Sequence, residues 1–428
     1  MRIAMFTNTY LPHVGGVARS VSTFEEELRT RGHEVRIVAP EFPDSDETTS
    51  DVLRTPAIQH FNGSDFSVRL PLPGLIADWL DGFEPEVVHS HHPFLLGDAA
   101  LRYAWERRLP LAFTHHTVYE QYTRYVPLDS EALRRVAIQM AVEYCELCTH
   151  VVAPSESIET LLRDRGVSTP ISVIPTGIDL EFYSSGDDQG FRDQYGIPAD
   201  AIVLGHVGRL AGEKNLEFLG RAVSAYLADH PESVFLVVGG GEQAEAFRNT
   251  LLAKAQPGQA LFVGKKTGRA LADAYAAMDL FVFSSQSETQ GMVLAEAMAS
   301  GAPVVALDGP GVRDVVTREN GRLLPGDATE QQFSAAIEQL TQRPGQLRRL
   351  ANQAQRSIAA FSVKQCTDRL EDLYRQLIDE SRDDHHSALD PWERIVARVE
   401  IEWKLMAEKA AALSAAVAET DATRVRLE

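Results

Sequence analysis

Lysine is absent from the first 213 residues of this 428-residue chain; the first one is Lys214. Acidic residues outnumber basic ones, 61 Asp and Glu against 41 Lys and Arg, for a formal net charge of -20. That balance argues against nucleic acid, or a strongly anionic membrane, as a bulk electrostatic partner. Three cysteines supply no disulfide framework. Cys145 and Cys148 fall in the helical run RRVAIQMAVEYCELC, where two small helix-face residues are a better reading than a redox pair. No segment approaches the roughly 18 uninterrupted apolar residues of a membrane span. The opening MRIAMFTNTYLP is too short and too polar for a secretory leader and reads as a first strand. The expected location is cytoplasmic, with peripheral attachment to the inner membrane face left open.

What the chain does have is apolar content, 44% hydrophobic, ample for real cores. Residues 1–180 alternate short strands with helical patterns. The strands are Arg2–Thr7, Glu34–Ala39, Val87–His89, Leu111–Phe113, His150–Ala153 and Ile171–Ile174. Ala18–Arg31, Gly97–Arg107, Ser130–Cys148 and Ser157–Arg165 read as helices. This alternation predicts a parallel sheet with helices on both faces, whose ligands bind beyond the C-terminal strand ends. The turn-rich stretch Pro175–Asp188 marks a boundary. Alternation then restarts at Ile202–Val207 and continues through Val234–Val238, Leu261–Val263, Leu280–Phe283 and Val304–Ala306. The expectation is two doubly wound α/β domains, 1–180 and 181–361, facing a cleft. Beyond the polar stretch Asp383–Asp390, Trp392, Ile395, Val396, Val399, Trp403, Met406, Ala410, Leu413 and Val417 keep a three/four spacing. The tail 383–428 therefore reads as an amphipathic helix for packing on the body or for self-association. Its acidic residues make a membrane-surface role the lesser reading.

The most informative stretch is FVFSSQSETQGMVLAEAMASG, Phe281–Gly301. An apolar strand ends in the polar turn Ser284–Gln290, and Gly291 opens a helix stopped by Gly301 and Pro303. Glu288 lies in the turn and Glu296 inside the helix. A helix start suits an anion, whereas a carboxylate suits neutral hydroxyls. Together they suggest a ligand carrying phosphates and sugars. On spacing alone, solvated surface acids are an equal reading.

S-E-T-Q-G-M-V-L-A-E-A-M-A-S-G-A-P-V-V resembles the signature of retaining GT-B glycosyltransferases with two glutamates seven residues apart. T-Y-L-P-H-V-G-G-V at Thr9–Val17, P-T-G-I-D at Pro175–Asp179, G-R-L-A-G-E-K-N at Gly208–Asn215 and V-V-G-G-G at Val237–Gly241 follow the same family's order. The resemblance implies two Rossmann-like domains and a nucleotide-sugar donor, with no cofactor and no metal. It also implies a late helix, 362–382, that crosses back to the first domain. Arg209 and Lys214 are read as a pyrophosphate site, two cations beside a helix start. Without the resemblance, two surface cations would be the plainer reading. The family assigns them to the donor diphosphate and to charge developing on the leaving group. Gly15 and Gly16 would let backbone amides approach the donor. Glu296 would take the ribose hydroxyls. Glu288, Gln290, Gly291, Met292 and Val293 would face the donor sugar. Gly239, Gly240 and Gly241 lack the later glycine of a dinucleotide fingerprint, so a nicotinamide site is rejected.

Histidines gather at two strand ends, His89, His91 and His92, then His115 and His116. A zinc site is the sharp alternative, opposed by the lack of a carboxylate or cysteine at matching spacing. By resemblance His116 contacts the transferred sugar near the reacting carbon, with His115 as the register alternative. Asp44-Ser45-Asp46 reads as a solvated turn rather than a metal motif. H-H-T-V-Y-E-Q-Y-T-R-Y-V-P, His115–Pro127, looks like the corresponding segment of diacylglycerol glucosyltransferases, so Tyr119, Tyr122 and Tyr125 are acceptor candidates. Arg102, Arg107, Arg108, Arg134 and Arg135 could form a local membrane patch, although ordinary amphipathic helices explain them too. In Gly309-Pro310-Gly311-Val312-Arg313-Asp314, aspartate stands where glutamate is more usual.

The expected protein is a metal-independent retaining hexosyltransferase, with transfer from UDP-glucose to diacylglycerol or a related lipid as the leading reading. Transfer to a soluble sugar, sugar phosphate or polysaccharide precursor is the alternative. A nucleotide-sugar epimerase would need acid/base carboxylates that the glutamate pair does not supply. A non-catalytic nucleotide-sugar-binding module is opposed by intact Arg209, Lys214, Glu288 and Glu296.

Overall fold

The computed structural model describes residues 1–13, 15–42, 49–58, 68–69, 73–119 and 131–384. The expected tail helix beyond Asp384, Asp44-Ser45-Asp46, Tyr122 and Tyr125 lie outside them. The chain divides into two compact units, Met1–Thr176 with Cys366–Glu428, and Gly177–Gln365.

The first unit runs β1 (Arg2–Phe6), α1 (Gly16–Thr30), β2 (Glu34–Pro40) and β3 (Val52–Thr55), then a short antiparallel pair, β4 (Ala57–Ile58) and β5 (Val68–Arg69). It continues with α2 (Pro73–Asp81), β6 (Val87–Ser90), α3 (Leu96–Arg107), β7 (Leu111–Thr114), α4 (Glu131–Leu147), β8 (His150–Ala153), α5 (Glu156–Asp164) and β9 (Ile171–Val173). Seven strands pair in parallel in the order β3-β2-β1-β6-β7-β8-β9. The apolar run in β1 follows from burial on both faces. Ile3 and Met5 enter one core while Ala4 and Phe6 enter the other.

The second unit repeats the plan. After α6 (Leu180–Ser184) and α7 (Asp188–Tyr195) come β10 (Val203–Val207), α8 (Leu216–Asp229), β11 (Val234–Val238), α9 (Ala244–Leu252), β12 (Ala260–Gly264) and α10 (Gly268–Ala276). Then follow β13 (Leu280–Phe283), α11 (Met292–Ala299), β14 (Val304–Leu307), β15 (Gly321–Leu324), α12 (Glu330–Thr341) and α13 (Pro344–Ser357). Its six parallel strands are ordered β12-β11-β10-β13-β14-β15. Phe281 and Phe283 face one core, Leu280 and Val282 the other. Gly177, in the P-T-G-I-D block, lies where the chain enters this unit beside its own exit. A Cβ there would sit 2.3 Å from Val363 Cα. Ile178 N donates to Phe361 O (2.8 Å) and Val363 N to Ile178 O (3.1 Å).

The last described helix, α14 (Val363–Asp384), returns to the first unit's core. Cys366, Leu370, Leu373, Tyr374 and Leu377, at three/four spacing, join Ile3, Met5 and Phe24. Arg31, just past α1, donates to Asp368 (2.6 Å) and Glu371 (3.1 Å). Nε2 of His33 lies 3.1 Å from the other Glu371 oxygen. Burial raises the Glu371 carboxyl, but hydrogen bonds from Arg31 and His33 outweigh it and hold the group below its ordinary value. Because the folded value is the lower one, this stabilisation is full above about pH 4.3, the unfolded value, and fades as pH falls through the folded one. Glu371→Gln should therefore lower the melting temperature at neutral pH, by the equivalent of about 1–2 kcal/mol. In matched melting curves the gap from the parent protein should shrink with acidification.

Candidate active site

Strand order reverses between β10 and β13, and loops beyond that point are where doubly wound sheets hold ligands. After β10 the chain passes Gly208 and Arg209, makes one 3-10 turn at Gly212–Lys214, and enters α8 through Asn215, whose φ is 53°. The turn after β13 is stitched onto it. Ser284 Oγ donates to Lys214 O (2.9 Å) and Asn215 O (3.1 Å). Ser285 and Ser287 Oγ donate to Glu213 O at 3.4 and 3.3 Å. The serines thus hold the backbone of the turn that carries Lys214.

Lys214 Nζ donates to Glu288 Oε1 at 2.5 Å, with the two side chains 19% and 17% exposed. Arg209, half-exposed, donates to the buried carboxylate of Glu213. Each expected phosphate-binding cation is therefore paired with a carboxylate of its own. Glu213 lies inside the G-R-L-A-G-E-K-N block without a role assigned from sequence; its four-residue spacing from Arg209 was the available signal. The ion pairs of Arg209 with Glu213 and of Lys214 with Glu288 leave the charge of this loop pair locally balanced.

Gly291 caps α11 with φ +75°, and a Cβ there would lie 2.9 Å from Leu294 Cδ1 and 3.2 Å from Gly311 O. Gly311 in turn lies against the loop, where its Cβ would be 2.6 Å from Gln290 N. The Gly309–Asp314 turn thus braces the segment before α11. Met292 and Val293 are partly exposed and Gln290 is buried. Glu296 is only 1% exposed, and the Tyr275 hydroxyl donates to its Oε2 (2.7 Å). Tyr275, on α10, carried no signal in the sequence beyond an apolar helix face.

In the first unit the order reverses between β1 and β6. Asn8, after β1, ties the two loops: its N donates to His92 Nδ1 (3.0 Å), its Nδ2 to Phe94 O (3.0 Å), and its Oδ1 accepts from Leu96 N (3.2 Å). Gly15 is the extended cap of α1, and a Cβ at Gly16 would meet nothing within 4 Å. The protein's own packing does not demand glycine at position 16.

The histidines separate by depth. His89 is buried, with Nδ1 2.5 Å from the Tyr374 hydroxyl and Nε2 2.7 Å from Thr114 Oγ1. His115 is buried with its ring edge against Tyr119. His116, one residue on, is partly exposed, and its Nε2 lies 2.9 Å from Nδ1 of buried His91. Burial pushes His89 down to about 3 and His115 to about 4. Burial and neighbouring rings hold His91 and His116 well below the ordinary value. Among the described residues no three His, Cys, Asp or Glu side chains converge as metal ligands. Cys145, Cys148 and Cys366 are buried and form no disulfide, and burial pushes the Cys145 thiol up to about 12. Tyr119 is partly exposed and packs edge-on against Phe94. Arg107 is forked onto Asp81 at 2.6 and 2.9 Å, so one arginine of the supposed membrane patch is committed to the fold. No helix of the described residues is long and apolar enough to cross a membrane.

Two Rossmann-like parallel sheets of seven and six strands are the architecture of GT-B glycosyltransferases. The solved sucrose-phosphate synthase from Thermosynechococcus elongatus shares it, with a TM-score of 0.73 at 22% identity over 89% of this chain and 99% of that one. Profiles for Glycosyltransferase Family 4 and for Glycosyl transferases group 1 match residues 14–182 and 187–357. The chain belongs to this glycosyltransferase family and is a transferase. It is 27% identical to an alpha-monoglucosyldiacylglycerol synthase of Acholeplasma laidlawii, over 89% of this chain and 98% of that one. A GDP-mannose-dependent alpha-mannosyltransferase of Mycobacterium tuberculosis is 32% identical, over 85% of this chain and 93% of its own length.

The cap geometry gives a direct test. Gly291→Ala forces a left-handed backbone on a residue with a Cβ, at about 1–2 kcal/mol before the Leu294 contact is counted. The variant should melt several degrees lower, whereas Gly16→Ala, in open space, should melt with the parent protein.

Proposed function

We propose that this transferase moves a hexose from a nucleotide-sugar to diacylglycerol or a related membrane lipid, with retention at the anomeric carbon. UDP-glucose is the leading donor. The observation that carries this reading is the match to an alpha-monoglucosyldiacylglycerol synthase along nearly its whole length. An alpha product from an alpha-linked nucleotide-sugar is retention. A second reading, with GDP-mannose as donor, is supported by the mannosyltransferase relative at 32% identity. Transfer to a soluble sugar, sugar phosphate or polysaccharide precursor remains the rival for the acceptor.

In this reading Arg209, Lys214 and the amides of Gly291, Met292 and Val293 bind the diphosphate and stabilise the charge it gains on leaving. Glu288, beside Lys214, keeps the ammonium oriented and, with Gln290, accepts from donor-sugar hydroxyls. Glu296, oriented by Tyr275, takes the ribose hydroxyls. Gly15 and Gly16 offer backbone N–H groups to the donor, a role favoured by the open space at Gly16. His116 steadies positive charge at the reacting carbon through its imidazole or its carbonyl. No side-chain nucleophile and no metal take part. The acceptor hydroxyl attacks on the face the diphosphate leaves, and the departing diphosphate oxygen takes its proton. Tyr119, Tyr122 and Tyr125 contact the acceptor head group at a peripheral membrane site on the cytoplasmic side.

The test is nucleotide release and glycolipid formation from UDP-glucose and GDP-mannose, with and without vesicles containing diacylglycerol. Vesicle-dependent release from UDP-glucose, with an alpha-linked glycolipid product, is the expected result. Release that ignores vesicles but responds to soluble sugars would move the acceptor to the rival reading. Lys214→Ala should lower kcat by about 100-fold or more, while vesicle binding in a flotation assay stays unchanged. Undiminished turnover would remove Lys214 from the mechanism.

A further inference from the structure

His91 is not among the residues that the proposed mechanism uses, yet it is buried and in direct contact with one that is. Its Nδ1 lies 2.9 Å from Nε2 of His116, with the rings 5.2 Å apart and inclined by 22°. On the other side its ring stands 4.1 Å from that of His89. Both His89 nitrogens are already engaged, by Tyr374 and Thr114. Nε2 of His91 is buried and has no hydrogen-bond partner among the described residues.

These facts decide the direction of the contact. A hydrogen bond between Nδ1 of one ring and Nε2 of the other needs one proton between them. If His116 supplied it, neutral His91 would have to carry its single proton on Nε2, as a buried N–H with nothing to accept it. Orphaned buried N–H groups are rare, and a bare buried acceptor is the better tolerated alternative. Burial and the surrounding rings keep both imidazoles neutral, so neither carries a second proton. We propose that His91 is a positioning residue, whose Nδ1–H donates to Nε2 of His116 and holds that imidazole in the tautomer protonated at Nδ1. With its Nε2 lone pair occupied, His116 cannot act as a general base through that nitrogen. It serves instead as a donor through Nδ1 toward a hydroxyl of the transferred sugar, with its ring plane fixed by His91, and leaves its backbone carbonyl to steady positive charge at the reacting carbon. This rests on the reading of His116 as a residue close to the transferred sugar.

The test combines ring-nitrogen NMR on histidine-labelled full-length protein with steady-state transfer kinetics. In the parent protein His116 should show a protonated Nδ1 and an unprotonated Nε2, assigned with His116→Gln. His91→Phe keeps an aromatic ring in the stack but has no donor. It should release His116 into a mixture of tautomers and lower kcat by roughly tenfold, the rate equivalent of one hydrogen bond, with donor KM nearly unchanged. His91→Asn places an amide donor where Nδ1 was, and should restore both the tautomer and most of the rate. Protonation of His116 at Nε2 in the parent protein would overturn the proposal. So would equal losses in the Phe and Asn variants with the tautomer unchanged, which would mark His91 as packing alone. If His91→Phe does not fold, the parent spectrum and the Asn variant still decide. Full activity in His116→Ala would instead overturn the assigned role of His116, while the tautomer measurement would still decide the pairing.

Discussion

A parallel sheet buried on both faces leaves no solvent-facing strand positions on which to mount polar chemistry. In both units the strand interiors are mostly apolar and buried on both sides, with polar exceptions such as His89 and His206 sealed inside, so accessible polar groups gather in the loops past the strand ends. Those loops open widest where strand order reverses. That single constraint puts Arg209, Lys214 and Glu288 in one unit beyond β10 and β13. In the other it puts Asn8, His91 and His92 beyond β1 and β6. The similarity of the two units is thus a similarity of constraint, carried by different side chains.

Within the second unit, polar residues that look unremarkable alone act as a scaffold. Three serines grip the carbonyls of a 3-10 turn, and two glycines let a neighbouring turn press on the backbone before α11. Glu213 and Glu288 each hold one cation. A chain of net charge -20 with two lone cations in a loop would gain little attraction for an anion at distance. The structure instead offers pre-oriented donors at short range, where geometry outweighs net charge.

The alternating pattern made the doubly wound plan legible, because central strands such as β13 are unbroken apolar runs. The edge strands β3 and β15 were not anticipated. Each pairs on one side only, and each carries an arginine, Arg54 or Arg322, that weakens the apolar signal. The glycine-capped helix at Gly291 and the glutamate inside it could be read from residue types. Pairings such as Lys214 with Glu288, or His91 with His116, could not. They join residues far apart in sequence, and only the strand order brings them together. The choice between His115 and His116 was also a matter of direction. Adjacent residues leaving a strand point opposite ways, and periodicity alone cannot say which one faces in.

The return of α14 to the first unit has a consequence for synthesis. The core containing Ile3, Met5 and Phe24 is completed by Cys366, Leu370 and Tyr374, which are made only after the whole of the second unit. The second unit, Gly177–Gln365, holds its own cores and its entry and exit side by side. On the ribosome it can close while the first unit still lacks a wall. Ile3, Met5 and Phe24 are then made early and buried late, and α14 decides when this core closes.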